Sequence, residues 1–198
     1  PGSYLYCGLS RDASKEEILE RINNNTITDI LNKIEVKAGD VVMVKAGTIH
    51  AIGAGVFICE IQQNSNCTYR MYDYDRRDKF GNPRELHVKK ALDVVDNHKY
   101  IKDNKTEVVI ARNEHFTEER LVQCKYFEVY KYDVNDEAKI TVDEASFVSV
   151  LFINGSGTIE TDDYEKTMEF KAGDSFFVSA GLRSIIIKGQ ATMVVTRV

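Results

Sequence analysis

His50, Glu60 and Arg70 are the side chains here whose types and company suit chemistry. An imidazole can ligate a metal or carry a proton. Taken alone, a histidine in an apolar stretch such as Thr48-Ile49-His50-Ala51-Ile52 is more often a core residue satisfied by backbone. Glu60 precedes Gln62 by two positions, so on a strand the two side chains share one face. A carboxylate there could shuttle protons if it looked into a barrel interior. Looking outward, it would be an ordinary strand carboxylate. Arg70 is followed by Asp73 and Asp75, and most such neighbours form solvated ion pairs. The run Tyr72-Asp73-Tyr74-Asp75 alternates aromatic and acidic residues at period two, the pattern of a half-buried strand.

These residues need elements to position them. Ser14-Lys15-Glu16-Glu17 is a capping box, followed by Ile18, Leu19 and Ile22 on one helical face. Asn23-Asn24-Asn25 ends that helix. Ile27, Ile30, Leu31 and Ile34 have the spacing of a second short helix, and Val88, Ala91, Leu92 and Val95 that of a third. Short β-branched and aromatic runs predict strands at Val41–Val44, Val56–Ile61, Thr68–Tyr72, Tyr126–Tyr132, Phe147–Ile153, Ser175–Val178, Ser184–Ile187 and Thr192–Thr196. Many short strands separated by turn signals argue for a sandwich or barrel.

An internal repeat organises the chain. Val36-Lys37-Ala38-Gly39-Asp40 leads, after a short apolar run, to Ala46-Gly47; Phe170-Lys171-Ala172-Gly173-Asp174 leads at the same spacing to Ala180-Gly181. Each copy reads as turn, strand, turn, strand. In the second copy, strand pattern runs from Gln123 up to the Gly155-Ser156-Gly157 turn. In the first, the matching turn is Pro1-Gly2-Ser3. The first barrel is therefore expected to be incomplete at its N-terminus, since a half-barrel leaves unpaired edges, and an upstream segment is expected.

Composition narrows the function classes. Hydrophobic residues are 43% and charged residues 29%, a globular profile. No apolar run reaches the ~20 residues of a membrane helix, so no membrane partner is expected. The net charge is −5 and the basic residues form no stripe, which argues against nucleic acid as a partner. A small anionic ligand stays open, because a pocket can be locally basic. Cys7, Cys59, Cys67 and Cys124 have no C-x-x-C spacing, and a reduced, cytoplasmic setting is the simpler reading.

Gly39-x5-Lys45-Ala46-Gly47-x2-His50 resembles the second signature motif of the cupin superfamily, which runs Gly, five residues, Pro, any residue, Gly, two residues, His. Lys45 stands in place of the Pro, and Ala54 in place of the motif's final Asn. The resemblance narrows with Ala46-Gly47-Thr48-Ile49-His50-Ala51-Ile52-Gly53 followed by Glu60-Ile61-Gln62-Gln63-Asn64-Ser65. Next come Thr68-Tyr69-Arg70-Met71-Tyr72-Asp73-Tyr74-Asp75-Arg76 and Pro83-Arg84-Glu85-Leu86-His87. This order is similar to the type I phosphomannose isomerases of the short bacterial kind, over almost the whole chain and most densely from residue 36 to 95.

The resemblance implies a mainly β fold of two cupin-like, jelly-roll β-barrels. The first, residues 1–100, would hold a helical insertion at about 10–34 and a helix at 84–95. The second would span 105–198. The family binds one zinc and interconverts mannose 6-phosphate and fructose 6-phosphate, so the implied partner is a small phosphorylated sugar. His50 matches the family's last zinc ligand. The earlier ligands, a Gln-x-His pair and a Glu, have no counterpart here, and His87, His98 and His115 do not supply them by motif. Arg70 matches the catalytic arginine, and Glu60 falls in the active-site pocket. Gln62, Gln63, Tyr69 and Tyr72 could bind sugar hydroxyls or simply pack. Ser184 occupies the place of His50 in the second copy, so that barrel reads as metal-free. The rival reading is a non-catalytic double-cupin module that binds a sugar or a partner. Oligomeric state is not legible.

Overall fold

The computed structural model describes residues 2–65, 67–102, 108–162 and 167–198. The chain divides after Lys102 into two compact units. Pro1 of the first expected turn and the expected junction around residue 105 lie outside the described residues.

In unit 1, β1 (Tyr4–Leu9), β2 (Leu31–Glu35) and β3 (His50–Ile52) form an antiparallel sheet in the order β2-β1-β3. Between β1 and β2 lies α1 (Lys15–Asn23). The Ser14 hydroxyl accepts the Glu17 N–H at 3.1 Å, which starts the helix. The Glu17 carboxylate does not complete the capping box. It accepts from Arg11 at 2.5 Å and Arg21 at 2.9 Å, and these bonds pull its pKa down to about 2. Ile18 and Ile22 turn inward, while Leu19, expected on the same face, is exposed.

The second expected helix is not formed. Ile27–Ile30 is a single 3-10 turn, and the chain then extends as β2. Ile27, Ile30 and Leu31 are buried either way. Extension also lets Tyr4, Leu5 and Tyr6 pair with Glu35, Ile34 and Lys33. A ladder to a neighbouring strand outweighs an intrinsic helical spacing. The third helix exists as α2 (Val88–Val94), shorter than the expected 84–95. Val41–Val44, Val56–Ile61 and Thr68–Tyr72 form no regular strand among the described residues. The Tyr72–Asp75 alternation is not a strand either: Tyr74 and Asp75 have φ of 56° and 49°, a left-handed bend.

Unit 2 is antiparallel β throughout: β4 (Val108–Arg112), β5 (Phe116–Gln123), β6 (Glu128–Val134), β7 (Glu137–Val142), β8 (Val148–Thr161), β9 (Thr167–Lys171), β10 (Ser175–Val178) and β11 (Arg183–Arg197). β8 and β11 pair along most of their lengths. At one end they are flanked by β10 and by β6, which continues to β5 and β4; at the other end by β9 and β7. The two expected runs at 184–187 and 192–196 are thus one strand. Its Gly189 faces Gly157, where a Cβ on Gly189 would lie 2.5 Å from the Ser156 carbonyl. Glycine permits that close approach. In β7, Ala138, Ile140 and Val142 point inward and alternate with exposed residues. They join Val150, Phe152, Ile159, Ile185, Ile187, Met193 and Val195 in a continuous apolar core. No helix among the described residues is long and apolar enough to cross a membrane.

Candidate active site

His50 opens β3 opposite Cys7 of β1. The preceding turn is tight: the Thr48 N–H donates to the Lys45 carbonyl at 3.1 Å, and Gly47 has φ of 83°. A Cβ on Gly47 would lie 2.7 Å from the Val94 carbonyl, so only glycine lets this turn sit against the end of α2. The Asp96 N–H donates to the Gly47 carbonyl at 2.9 Å and ties the turn down. The exposed His50 ring has Nδ1 3.0 Å from the Thr48 carbonyl. A carbonyl only accepts, so Nδ1 is the donor in this contact and Nε2 is the nitrogen left to face a metal. That is the arrangement a metal-ligating histidine uses.

Arg70 lies at the other end of α2. The Arg70 N–H donates to His87 Nδ1 at 3.3 Å, and the His87 N–H donates to the Arg70 carbonyl at 2.6 Å. One guanidinium nitrogen donates to the Glu85 carbonyl at 3.3 Å. The Tyr69 ring lies 6.3 Å from the His87 ring. α2 is therefore a strut about 10 Å long, with the Arg70 backbone tied to His87 before it and the His50 turn tied to Asp96 beyond it. Ile49 and Met71, which adjoin His50 and Arg70, belong to one apolar cluster with Leu9, Ile18, Ile27 and Ala91.

Glu60 and Gln62 are exposed on a segment that pairs with no strand. The expected strand is not formed, and of the two readings left open for Glu60, enclosed or outward-facing, the structure shows an exposed carboxylate. Neither residue hydrogen-bonds to His50 or Arg70 among the described residues. Among those residues, no group of three or more His, Cys, Asp or Glu side chains is placed to hold a metal ion.

Residues 117–198 match the family model described as mannose-6-phosphate isomerase, cupin domain. The chain is 41% identical over 190 residues to the putative mannose-6-phosphate isomerase YvyI of Bacillus subtilis, with 93% of this chain and 57% of that protein covered. It is 33% identical to the mannose-6-phosphate isomerase ManA of the same organism, with 92% and 56% covered. The fold superposes on the crystal structure of a B. subtilis mannose 6-phosphate isomerase with a TM-score of 0.88 at 36% identity, over 99% of this chain and 60% of that one. The chain belongs to the mannose-6-phosphate isomerase family.

This member of the family spans a little over half the length of those curated relatives. Its fold is mainly β and cupin-like. A putative mannosephosphate isomerase from Archaeoglobus fulgidus shares the fold at 16% identity and a TM-score of 0.63.

The segment that follows Arg70 holds an ion-pair cluster that the sequence did not reveal. Asp73, one of the two carboxylates that a surface-paired Arg70 would meet, is only 6% exposed. Its carboxylate accepts from Arg84 Nε at 2.7 Å, from Arg84 Nη2, and from Arg76 at 3.1 and 2.5 Å. The Arg84 bond and then the Arg76 bond hold its pKa far below the carboxylate range, against the opposing effect of burial. Asp75 pairs with Arg77 at 2.9 Å. Arg70 thus loses both acidic neighbours to other arginines. The turn residues Gly81-Asn82-Pro83, just before the Arg84–His87 run, were the available signal: they fold one limb back on the other.

Proposed function

We propose that this chain forms part of an aldose–ketose isomerase that interconverts mannose 6-phosphate and fructose 6-phosphate in the cytoplasm. In this reaction a base removes the C2 proton, the pair of electrons forms an enediolate, and a proton returns to C1. The C1 carbonyl becomes a hydroxyl and the C2 hydroxyl becomes a carbonyl. Arg70 faces the oxyanion that develops in between. The observation that carries this is its charge: the guanidinium donates to a neutral carbonyl, while Asp73 and Asp75 are engaged elsewhere. A fixed positive charge of this kind stabilises the enediolate more than the substrate. Its planar fork suits the two adjacent oxygens.

Tyr69 beside it and Gln62 are assigned to the sugar hydroxyls, and Glu60 to proton transfer. His50 is assigned as one donor of a zinc site. Zinc takes three or four protein ligands, and the described residues of this chain do not supply that set.

The test is steady-state conversion of mannose 6-phosphate by the protein that contains this chain, with zinc measured on the same samples. Arg70→Ala is expected to lower kcat ~100- to 1,000-fold with zinc unchanged. Arg70→Lys should rescue poorly. His50→Ala should lose zinc and activity together. A rise in KM at normal kcat for Arg70→Ala would make Arg70 a binding residue only and overturn the assignment.

A further inference from the structure

Residues 70–87 form a closed two-limbed loop. At its root, the His87 N–H donates to the Arg70 carbonyl and the Arg70 N–H donates to the His87 ring. Farther out, Asp73 on one limb meets Arg84 on the other. Arg77 and Pro83 form an antiparallel bridge. At the tip, the Asp78 N–H donates to the Asn82 carbonyl at 2.9 Å, and Asp78 Oδ1 accepts from the Phe80 and Asn82 N–H groups.

The tip ties are local turns, exposed and individually weak. The Asp73 tie differs in kind. Among the described residues, the buried polar ones are Asp73 and Ser184. Asp73 spans the limbs with a forked bond to Arg84 and closes its own limb through Arg76. Its neighbour Met71 is seated in the apolar cluster beneath, next to Arg70. The clamp therefore has a fixed base at Met71, and Arg70, the residue before it, is bonded to His87 at the start of α2. Arg76 and Arg84 also line a cavity of about 270 Å³ with Tyr72 and Leu86, but their forks are turned onto Asp73.

We propose that Asp73 is a positioning residue: by joining the limbs through Arg84 and Arg76 it holds Arg70 against His87 and keeps its guanidinium aimed at the reacting oxygens. This rests on the isomerase reading for its catalytic consequence, though not for the clamp itself. Removing the carboxylate leaves two adjacent guanidiniums that repel each other, and the limbs separate at that level. Displacement of about 1 Å at a preorganised group is enough to cost about 100-fold in rate.

Two measurements on Asp73→Asn and Arg84→Gln, in the protein that contains this chain, test it. Amide hydrogen exchange reads the clamp without reference to activity. Both variants are expected to speed exchange at Arg70 and His87 ~10-fold or more, with the amides of unit 2 unchanged. Steady-state kinetics read the consequence: kcat is expected to fall ~10- to 100-fold, with KM within about threefold and zinc content unchanged. Arg84→Lys, which keeps one donor, should recover part of kcat. Arg84 is half exposed, so Arg84→Gln remains informative if Asp73→Asn does not fold. Unchanged exchange at Arg70 and His87 would overturn the clamp. Faster exchange at normal kcat would overturn the positioning role. Absence of isomerase activity in the unsubstituted protein would instead overturn the proposed reaction and leave the exchange result to decide the clamp.

Discussion

The two copies of the Ala-Gly-Asp segment make the same turn and then part company. In unit 1 the Lys37 N–H donates to Asp40 Oδ2 at 3.0 Å, the Asp40 N–H donates to the Lys37 carbonyl at 3.2 Å, and Gly39 has φ of 92°. In unit 2 the Lys171 N–H donates to Asp174 Oδ2 at 2.9 Å, the Asp174 N–H donates to the Lys171 carbonyl at 3.1 Å, and Gly173 has φ of 92°. After the second turn, Ser175–Val178 joins a ladder with Val148–Leu151. After the first, residues 41–44 join no ladder among the described residues. The three-stranded neighbourhood repeats as well: β2-β1-β3 in unit 1 matches β9, the second half of β8, and β11 in unit 2. A turn is made by residues a few positions apart, whereas a strand needs a partner from elsewhere.

The contrast is sharpest in the cores. Phe152 is fully buried and stacked on Phe170 at 3.7 Å between ring centres. Phe152→Ala should lower unfolding free energy by ~3–5 kcal/mol, read by denaturant titration. At the repeat-matched pair, Phe176→Ala should cost clearly more than Val42→Ala, since only Phe176 packs on a completed core. Equal costs would break the comparison.

A second contrast exchanges the residues at the end of each repeat. Ser184 is 2% exposed and its hydroxyl donates to Asp162. Ser184→His should therefore overpack unit 2 and cost ~1–3 kcal/mol without creating a metal site. His50→Ser, at an exposed position, should change stability by no more than about 0.5 kcal/mol. A stable Ser184→His variant that binds zinc would show that the two positions differ only in their side chain.

A third substitution sharpens the likeness. Asp40→Ala and Asp174→Ala each remove the same exposed turn bond, worth ~1 kcal/mol. If the turn is local, the two costs should agree within a few tenths of a kcal/mol.

The smallest effect separates the units by pH. His115 is held above its ordinary pKa, chiefly by its bond to Asp136 at 2.9 Å. A raised folded-state value stabilises below the unfolded value near 6.5 and is lost as pH rises through the folded value. Glu17 in unit 1 is pulled down to about 2 by Arg11 and Arg21. Its contribution is present above the ordinary carboxylate range and is lost as pH falls toward 2. His115→Gln should flatten the unit 2 stability profile from near pH 6.5 upward, and Glu17→Gln the acidic part of the unit 1 profile. Residue-resolved amide exchange measures both.

Much of the local structure was legible because it depends on near neighbours. Ser14 announced α1, and the two Ala-Gly-Asp turns were visible as a repeat, since each closes within four residues. The long motif from Ala46 to His87 identified the family, because its wording spans many positions. Legibility failed where the partner is distant. Ile27 to Ile34 has helical spacing, yet β1 draws its second half into a strand. Glu60 and Gln62 share a strand face only if residues 56–61 form a strand, and no ladder holds them.

The sequence by itself determined the turn chemistry, the cap of α1, the repeat, the mainly β cupin-like class, and the identities of His50 and Arg70 as the residues to watch. Tertiary structure decided which carboxylate Arg70 does not meet. Asp73 is nearer in sequence to Arg70 than Arg84 is to Asp73, but the turn at Gly81-Asn82 brings Arg84 across the loop, and the charge-assisted fork that results offsets the cost of burying the carboxylate. The structure also placed His50 and Arg70 at opposite ends of α2, a relation no spacing records. Sequence proximity sets which bonds are cheap to close; only the packed chain sets which distant groups compete for them.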